Sequence, residues 1–103
     1  MVDSYKIGQG RTAEGTATIL YLSGELDINA RDDLHTAIVA ALGDGDVVLD
    51  FAGVTFLDSE ALGSMIDGYN DARERGAGYR AVNAHGLVER VLTVSGARDL
   101  FGP

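Results

Sequence analysis

Hydrophobic positions along this chain switch between two periods. Thr16 to Leu22 is a strand-like run, and Ile19-Leu20-Tyr21-Leu22 within it predicts burial on both faces. Val47 to Phe51 is a second buried run, and Tyr79 to Ala84 a third strand with the same parallel character. Between them the period lengthens to that of a helix. Ala30, Leu34, Ala37, Ile38, Ala41 and Leu42 fall on one helical face, as do Ala61, Leu62, Met65, Ile66, Tyr69 and Ala72. Leu87, Val88, Val91 and Leu92 mark a third helix, ended by Gly96.

The polar punctuation supplies the joints. Tyr5-Lys6-Ile7 reads as a short first strand, and Gly8 to Gly15 as a flexible hairpin loop. Gly8-x-Gly10 is no nucleotide fingerprint, because no strand-to-helix passage follows it. Ser23-Gly24-Glu25-Leu26-Asp27 leaves the second strand, with Asp27 or Asn29 able to cap the helix that follows. Gly43-Asp44-Gly45-Asp46 is a turn. Arg73, Arg75 and Gly76 close the second helix with the charge and the capping residue that helix C-termini prefer. Leu100-Phe101 reads as the stub of a last strand. The order β-β-α-β-α-β-α predicts one α/β domain over residues 1–103. Its sheet is mostly parallel, with an N-terminal antiparallel hairpin and helices packed on it.

Composition narrows the function classes. The 103 residues suit one hydrophobic core. No apolar run approaches the ~18 residues of a membrane span. The start Met1-Val2-Asp3-Ser4-Tyr5-Lys6 has neither a basic nor an apolar signal region, so no secretory signal is expected. Cysteine is absent, which removes thiolate chemistry and fits a cytoplasmic location. Acidic residues outnumber basic ones 16 to 8, a net charge of −8, and this argues against a nucleic-acid partner. A protein partner with a basic surface and simple solubility both accommodate that charge.

Ser59 is the candidate for chemistry. It stands where a strand gives way to a helix, at the helix's first residue, with the free amides of the first turn nearby. As an N-cap its Oγ would accept a backbone N–H, worth ~1 kcal/mol. As a nucleophile it lacks a Gly-x-Ser-x-Gly setting, and neither His35 nor His85 has an evident orienting carboxylate, so no enzyme is expected. As a phosphoacceptor it would add roughly two negative charges beside Asp58 and Glu60, opposing a partner without unfolding the helix.

The remaining polar residues yield less. Asp50 near a strand end suggests a receiver domain, but the only lysine is Lys6, at the wrong end, so Asp50 reads as a sheet-edge or turn residue. Asp27 reads as a helix cap and, compatibly, as a site residue at the same sheet end as Asp58 and Ser59. His35 reads as a surface residue and His85 as a loop residue or cap. Asp32-Asp33 suit a helix's first turn. No metal site or cofactor is predicted.

Two motifs make the chain resemble the STAS domain family, in particular its stand-alone anti-sigma factor antagonists. Ser23-Gly24-Glu25-Leu26-Asp27 is similar to the family's Gly-Glu-Leu-Asp turn. Val54 to Gly63, with Leu57-Asp58-Ser59-Glu60-Ala61-Leu62-Gly63 at its heart, is similar to the phosphorylation segment, commonly Asp-Ser-Ser-Gly-Leu-Gly. Leu87 to Gly96 resembles the later family helix. The resemblance implies a partner switch. The unmodified antagonist binds an anti-sigma factor and frees the sigma factor. That anti-sigma factor is a serine kinase of the histidine-kinase-like ATPase fold, and it phosphorylates the position matched by Ser59. A phosphatase reverses the mark. Asp27, Asp58, Ser59, Glu60, Leu62 and Gly63 then lie on the partner-contact surface, with neither nucleic acid nor membrane as partner.

Two departures qualify the resemblance. Glu60-Ala61 replaces the usual Ser/Thr-Gly pair, placing a permanent charge beside the acceptor that is expected to weaken kinase docking or blunt the switch. Relatives commonly continue into a C-terminal helix beyond the position of Phe101, so thinner covering of one sheet face, or covering by a second subunit, is expected here. The alternative implied by the same family is a non-catalytic STAS module of a transporter or stress-signalling complex.

Overall fold

The computed structural model describes residues 4–102. Four strands, β1 (Tyr5–Arg11), β2 (Ala17–Leu26), β3 (Asp46–Leu57) and β4 (Tyr79–Val82), form one sheet in the order β1-β2-β3-β4. β1 and β2 are the antiparallel hairpin; β2, β3 and β4 run parallel. The helices are α1 (Arg31–Leu42), α2 (Ser59–Arg75), α3 (Gly86–Val94) and the short α4 (Ala97–Leu100), and a 3-10 turn, Ile28–Ala30, leads into α1. The mixed α/β architecture is the one the hydrophobic pattern predicts.

Leu20, Leu22, Leu49 and Phe51 of the central strands form one buried cluster with Leu34 and Ile38 of α1, Met65 of α2 and Leu92 of α3. Alternate strand positions point the other way. Tyr21 is among them and is 47% exposed, so β2 is not buried on both faces as its apolar run suggests. Tyr21 lies across the chain from Gly8 and Gly10, which leave room for its ring.

Strand lengths depart most from expectation. β1 runs on through Gly10 and Arg11, so the hairpin loop is confined to residues 12–16. β2 does not end at Leu22 but continues to Leu26, through Gly24 at φ +82°. A Cβ on Gly24 would lie 2.1 Å from the Ser4 carbonyl oxygen, so only glycine lets β1 and β2 pair there. β3 does not stop at Phe51 but runs to Leu57. Its 12 residues span the 10 of β2, with register shifts between Tyr21 and Ser23 and between Gly24 and Glu25. Each shift is an extra β3 residue, a bulge that breaks the alternation a strand is recognised by.

Asp50 is accordingly no edge or turn residue. It sits inside β3, paired between Tyr21 and Val82, and its Oδ1 accepts from the Ala52 amide at 2.9 Å and Asn83 Nδ2 at 3.2 Å. β4 stops at Val82, with Asn83 at φ +62°. Leu100 ends a helical turn and is not part of a strand. The strand-like pairing falls one step later, where Gly102 bridges Arg80 and exchanges hydrogen bonds with Tyr79 and Ala81. Phe101 thereby enters the core against Tyr79, ring centroids 5.3 Å apart.

α2 is the long element that carries the site, and two features seat it. Gly76 ends it in the left-handed conformation, φ +69°. Gly68 lets it approach α1 and β4 closely: a Cβ there would lie 2.6 Å from both Ile38 Cγ2 and the Tyr79 hydroxyl oxygen. That hydroxyl donates to the Met65 carbonyl at 2.7 Å from a buried position.

Gly68→Ala is therefore expected to lower unfolding free energy by about 1–3 kcal/mol, because a core hydrogen bond and Ile38 must both shift; urea unfolding followed by circular dichroism measures it. Burial, with a smaller contribution from Asp67, raises the Tyr79 phenol well above the ordinary tyrosine value. Above pH ~10 the unfolded chain loses this proton and the folded one keeps it, so stability should fall as pH rises past that point. Tyr79→Phe should flatten that alkaline slope while losing about 1 kcal/mol at neutral pH.

Candidate functional site

The parallel register pairs Leu26 with Leu57, and the Asp58 amide donates to the Leu26 carbonyl at 3.1 Å. Asp27 and Asp58 therefore leave adjacent strand ends side by side. Asp27 Oδ1 accepts from the Asn29 amide at 2.9 Å and so caps the 3-10 turn, not α1 itself. Asp58 Oδ1 accepts from the amides of Glu60 and Ala61, both at 3.0 Å.

Asp58 is thus the N-cap of α2, and Ser59 is not. Ser59 is the first helical residue, exposed, and among the described residues its hydroxyl has no hydrogen-bond partner. The amides that the sequence offers to an anion are in good part already taken by Asp58. A group added to Ser59 projects outward beside a carboxylate.

Glu60 turns towards α1. Its Oε1 accepts from Arg31 Nη1 at 2.8 Å, and Arg31 Nε also lies 3.4 Å from Asp32 Oδ1. Hydrogen bonds to Glu60 and then to Asp32 raise the Arg31 guanidinium above its ordinary value, so it stays charged at any working pH. The buried Ser64 hydroxyl donates to the Arg31 carbonyl at 2.8 Å and ties the start of α1 to α2.

On its other side Ser59 borders a groove of about 400 Å³ between α2 and α3, lined by Leu62, Leu87, Arg90, Val91 and Val94. Leu62 is buried at 6% exposure, whereas Leu87 at 57% and Val94 at 80% present their side chains to the outside. Gly63, next to Leu62 on α2, has open space where a side chain would begin. The structure thus brings Asp27, Asp58, Ser59, Glu60, Leu62 and Gly63 to one end of the molecule.

Arg31, Arg90 and Val94 join this surface without having been singled out by sequence, and Leu87 joins it although sequence placed it only on the apolar face of the third helix. Leu87, Val91 and Val94 do fall at i, i+4 and i+7, a second apolar stripe on α3 beside the buried Val88 and Leu92. The histidines do not join it as a catalytic pair. His35 is exposed on α1, and His85 lies 3.0 Å through Nε2 from the Ala52 carbonyl. Among the described residues no group of three or more His, Asp or Glu could hold a metal ion, and no helix is long and apolar enough to cross a membrane.

Comparison with known proteins bears on the family and the fold. The family model described as "Mlab, STAS domain" matches residues 10–102. No curated protein sequence matches the chain. Among solved structures, an anti-sigma factor antagonist from Mycobacterium paratuberculosis is 25% identical over 95% of this chain and 83% of its own, with a TM-score of 0.77. The Bacillus cell fate determinant SpoIIAA in its phosphorylated form is 20% identical over 94% of this chain and 89% of its own, TM-score 0.69. An antisigma-factor antagonist STAS domain from Rhodobacter sphaeroides is 20% identical over 77% of this chain and 86% of its own, TM-score 0.61.

The division of labour at the start of α2 has a measurable consequence. Asp58→Ala should cost about 1 kcal/mol through loss of the cap, while Ser59→Ala should stay within about 0.5 kcal/mol of wild type. Parallel urea titrations of the two variants measure the difference.

Proposed function

The chain belongs to the STAS domain family, and we propose that it is an anti-sigma factor antagonist whose binding is switched off by phosphorylation of Ser59. One observation carries this reading. An exposed hydroxyl with no partner among the described residues stands at the start of a helix whose cap is supplied by its neighbour, between an acidic pair and an apolar groove. A hydroxyl kept for capping would be engaged; this one is free to react.

In this reading the unmodified protein docks on an anti-sigma factor through the groove and the Asp27–Asp58 end, and the sigma factor is released. The partner is a serine kinase of the histidine-kinase-like ATPase fold. Ser59 Oγ attacks the γ-phosphorus of ATP, the bond from that phosphorus to the β–γ bridging oxygen breaks, ADP leaves, and the hydroxyl proton passes to a base of the kinase or to solvent. The product carries roughly two extra negative charges beside Asp58. The helix end tolerates them, while a partner that faced a neutral hydroxyl now faces like charge or loses its fit. A phosphatase that hydrolyses the Ser59 ester restores binding. The protein itself performs no catalysis, needs no cofactor and works in the cytoplasm.

A second reading keeps the same surface without the switch. Leu87 and Val94 are exposed apolar residues whatever the state of Ser59, and they suit a STAS interaction module of a transporter or stress-signalling complex.

Capture from native cell extract with Ser59→Ala as bait, followed by incubation of wild type with the captured kinase and ATP, tests the proposal. Mass spectrometry is expected to find one phosphate, on Ser59. Ser59→Ala should hold the kinase persistently, and Ser59→Asp should bind about tenfold or more weakly. Val94→Asp should weaken binding with an unchanged melting temperature, because that side chain is 80% exposed. Phosphate elsewhere, or none, rejects the switch; co-purification of a transporter ATPase with no phosphate supports the second reading.

A further inference from the structure

Glu60 stands next to the phosphoacceptor where an uncharged residue would offer an ATP-loaded kinase less repulsion. The triphosphate of ATP is strongly negative, and it must approach the Ser59 hydroxyl past Asp27, Asp58 and Glu60. Asp58 is held at the helix cap by two backbone amides, which offset part of its charge. Glu60 has no such backbone partner among the described residues. Its one ion pair there is with Arg31, at 2.8 Å.

We infer that Arg31 is a positioning residue for this switch: it holds the Glu60 carboxylate against the start of α1 and so keeps Ser59 accessible to the phosphoryl donor. The inference rests on the phosphoacceptor reading of Ser59. Three observations support it. Arg31 starts from a fixed place, because its carbonyl accepts from the buried Ser64 hydroxyl at 2.8 Å. Its guanidinium lies between Asp32 and Glu60, so its charge is directed at carboxylates on both sides. Glu60 is the second residue of α2, one helical position on from Ser59, so a side chain drawn towards α1 points away from the groove that Ser59 borders.

The pair is half exposed, at 45% and 46%, so it adds little to folding stability. Its effect belongs to the docking step, where a partner excludes water and an uncompensated carboxylate repels the nucleotide more strongly. The reaction is unchanged in its atoms: Ser59 Oγ gains the γ-phosphoryl group, ADP leaves, and the proton goes to the kinase or solvent. Arg31 acts on the encounter and touches none of the reacting atoms.

The test measures Ser59 phosphorylation by the captured kinase and ATP for wild type, Arg31→Gln, Arg31→Lys, Glu60→Gln and the double variant Arg31→Gln/Glu60→Gln. Circular dichroism melting checks that each folds. Arg31→Gln should lower kcat/KM about threefold, the scale of one exposed ion pair, mainly through KM. Arg31→Lys and the double variant should recover wild-type rates, Glu60→Gln alone should not fall below them, and the deficit should shrink at high ionic strength. Wild-type rates for Arg31→Gln overturn the inference and leave the phosphorylation reading standing. A double variant as slow as Arg31→Gln also overturns it, because Arg31 would then contact the kinase directly. Absence of phosphate on wild-type Ser59 overturns the functional reading and this inference with it.

Discussion

Parallel pairing of β2 with β3 sets the position of every residue at the acidic end of this molecule. Leu26 meets Leu57, the Asp58 amide closes onto the Leu26 carbonyl, and two chain segments far apart in sequence turn away from the sheet together. The pairing holds only because β3 absorbs two extra residues in bulges. Without them, a shift of register would carry Asp58 and Ser59 past the end of β2 and separate them from Asp27. Ligand and partner sites of parallel sheets collect beyond strand C-termini for this reason: the turns into the helices are brought together there by the sheet itself.

The helices then decide which groups at that end are engaged. Asp58 takes the capping role, and among the described residues the Ser59 hydroxyl is left unengaged. Arg31 draws Glu60 towards α1, and Ser64 fixes the backbone from which Arg31 extends. α2 can be gripped this closely because Gly68 gives Ile38 and Tyr79 room against its middle turns. The charge of Glu60 is thus partly offset by an ion pair within the same molecule. The apolar groove on the far side of Ser59 stays open, since Leu87 and Val94 face outward from α3 while Val88 and Leu92 fill the core. Acid on one flank and exposed hydrocarbon on the other support the proposed docking of a protein partner, and the proposed phosphate on Ser59 would change the surface charge without disturbing the packing beneath.

The sheet's other face is less covered. Tyr21 is an exposed aromatic there, resting beside Gly8 and Gly10. At the far end of the sheet, Gly102 binds the edge of β4 and sends Phe101 into the ring cluster with Tyr69 and Tyr79. Aromatic packing and two backbone hydrogen bonds do there what a full strand would do.

Sequence alone determined the α/β class, the order of elements and the two long amphipathic helices, because a 3.6-residue period and its caps are local properties. It also determined that Ser59 opens α2, and its motifs placed the chain among STAS domains. The true end of β3 was hidden, since bulges between Asp50 and Gly53 and between Val54 and Phe56 break the alternation by which a strand is recognised, and Asp50 was misplaced for the same reason. The end of β2 was hidden because Gly24, at φ +82°, reads as a turn. Only tertiary structure decided that Asp58 is the cap, that Tyr21 is exposed, and that Gly102 supplies the last pairing. It alone joined Arg31 to Glu60 and set Ser59 on the groove formed by Leu87 and Val94. Those are contacts between residues distant along the chain, whose meeting depends on register and helix packing, and no local pattern encodes them.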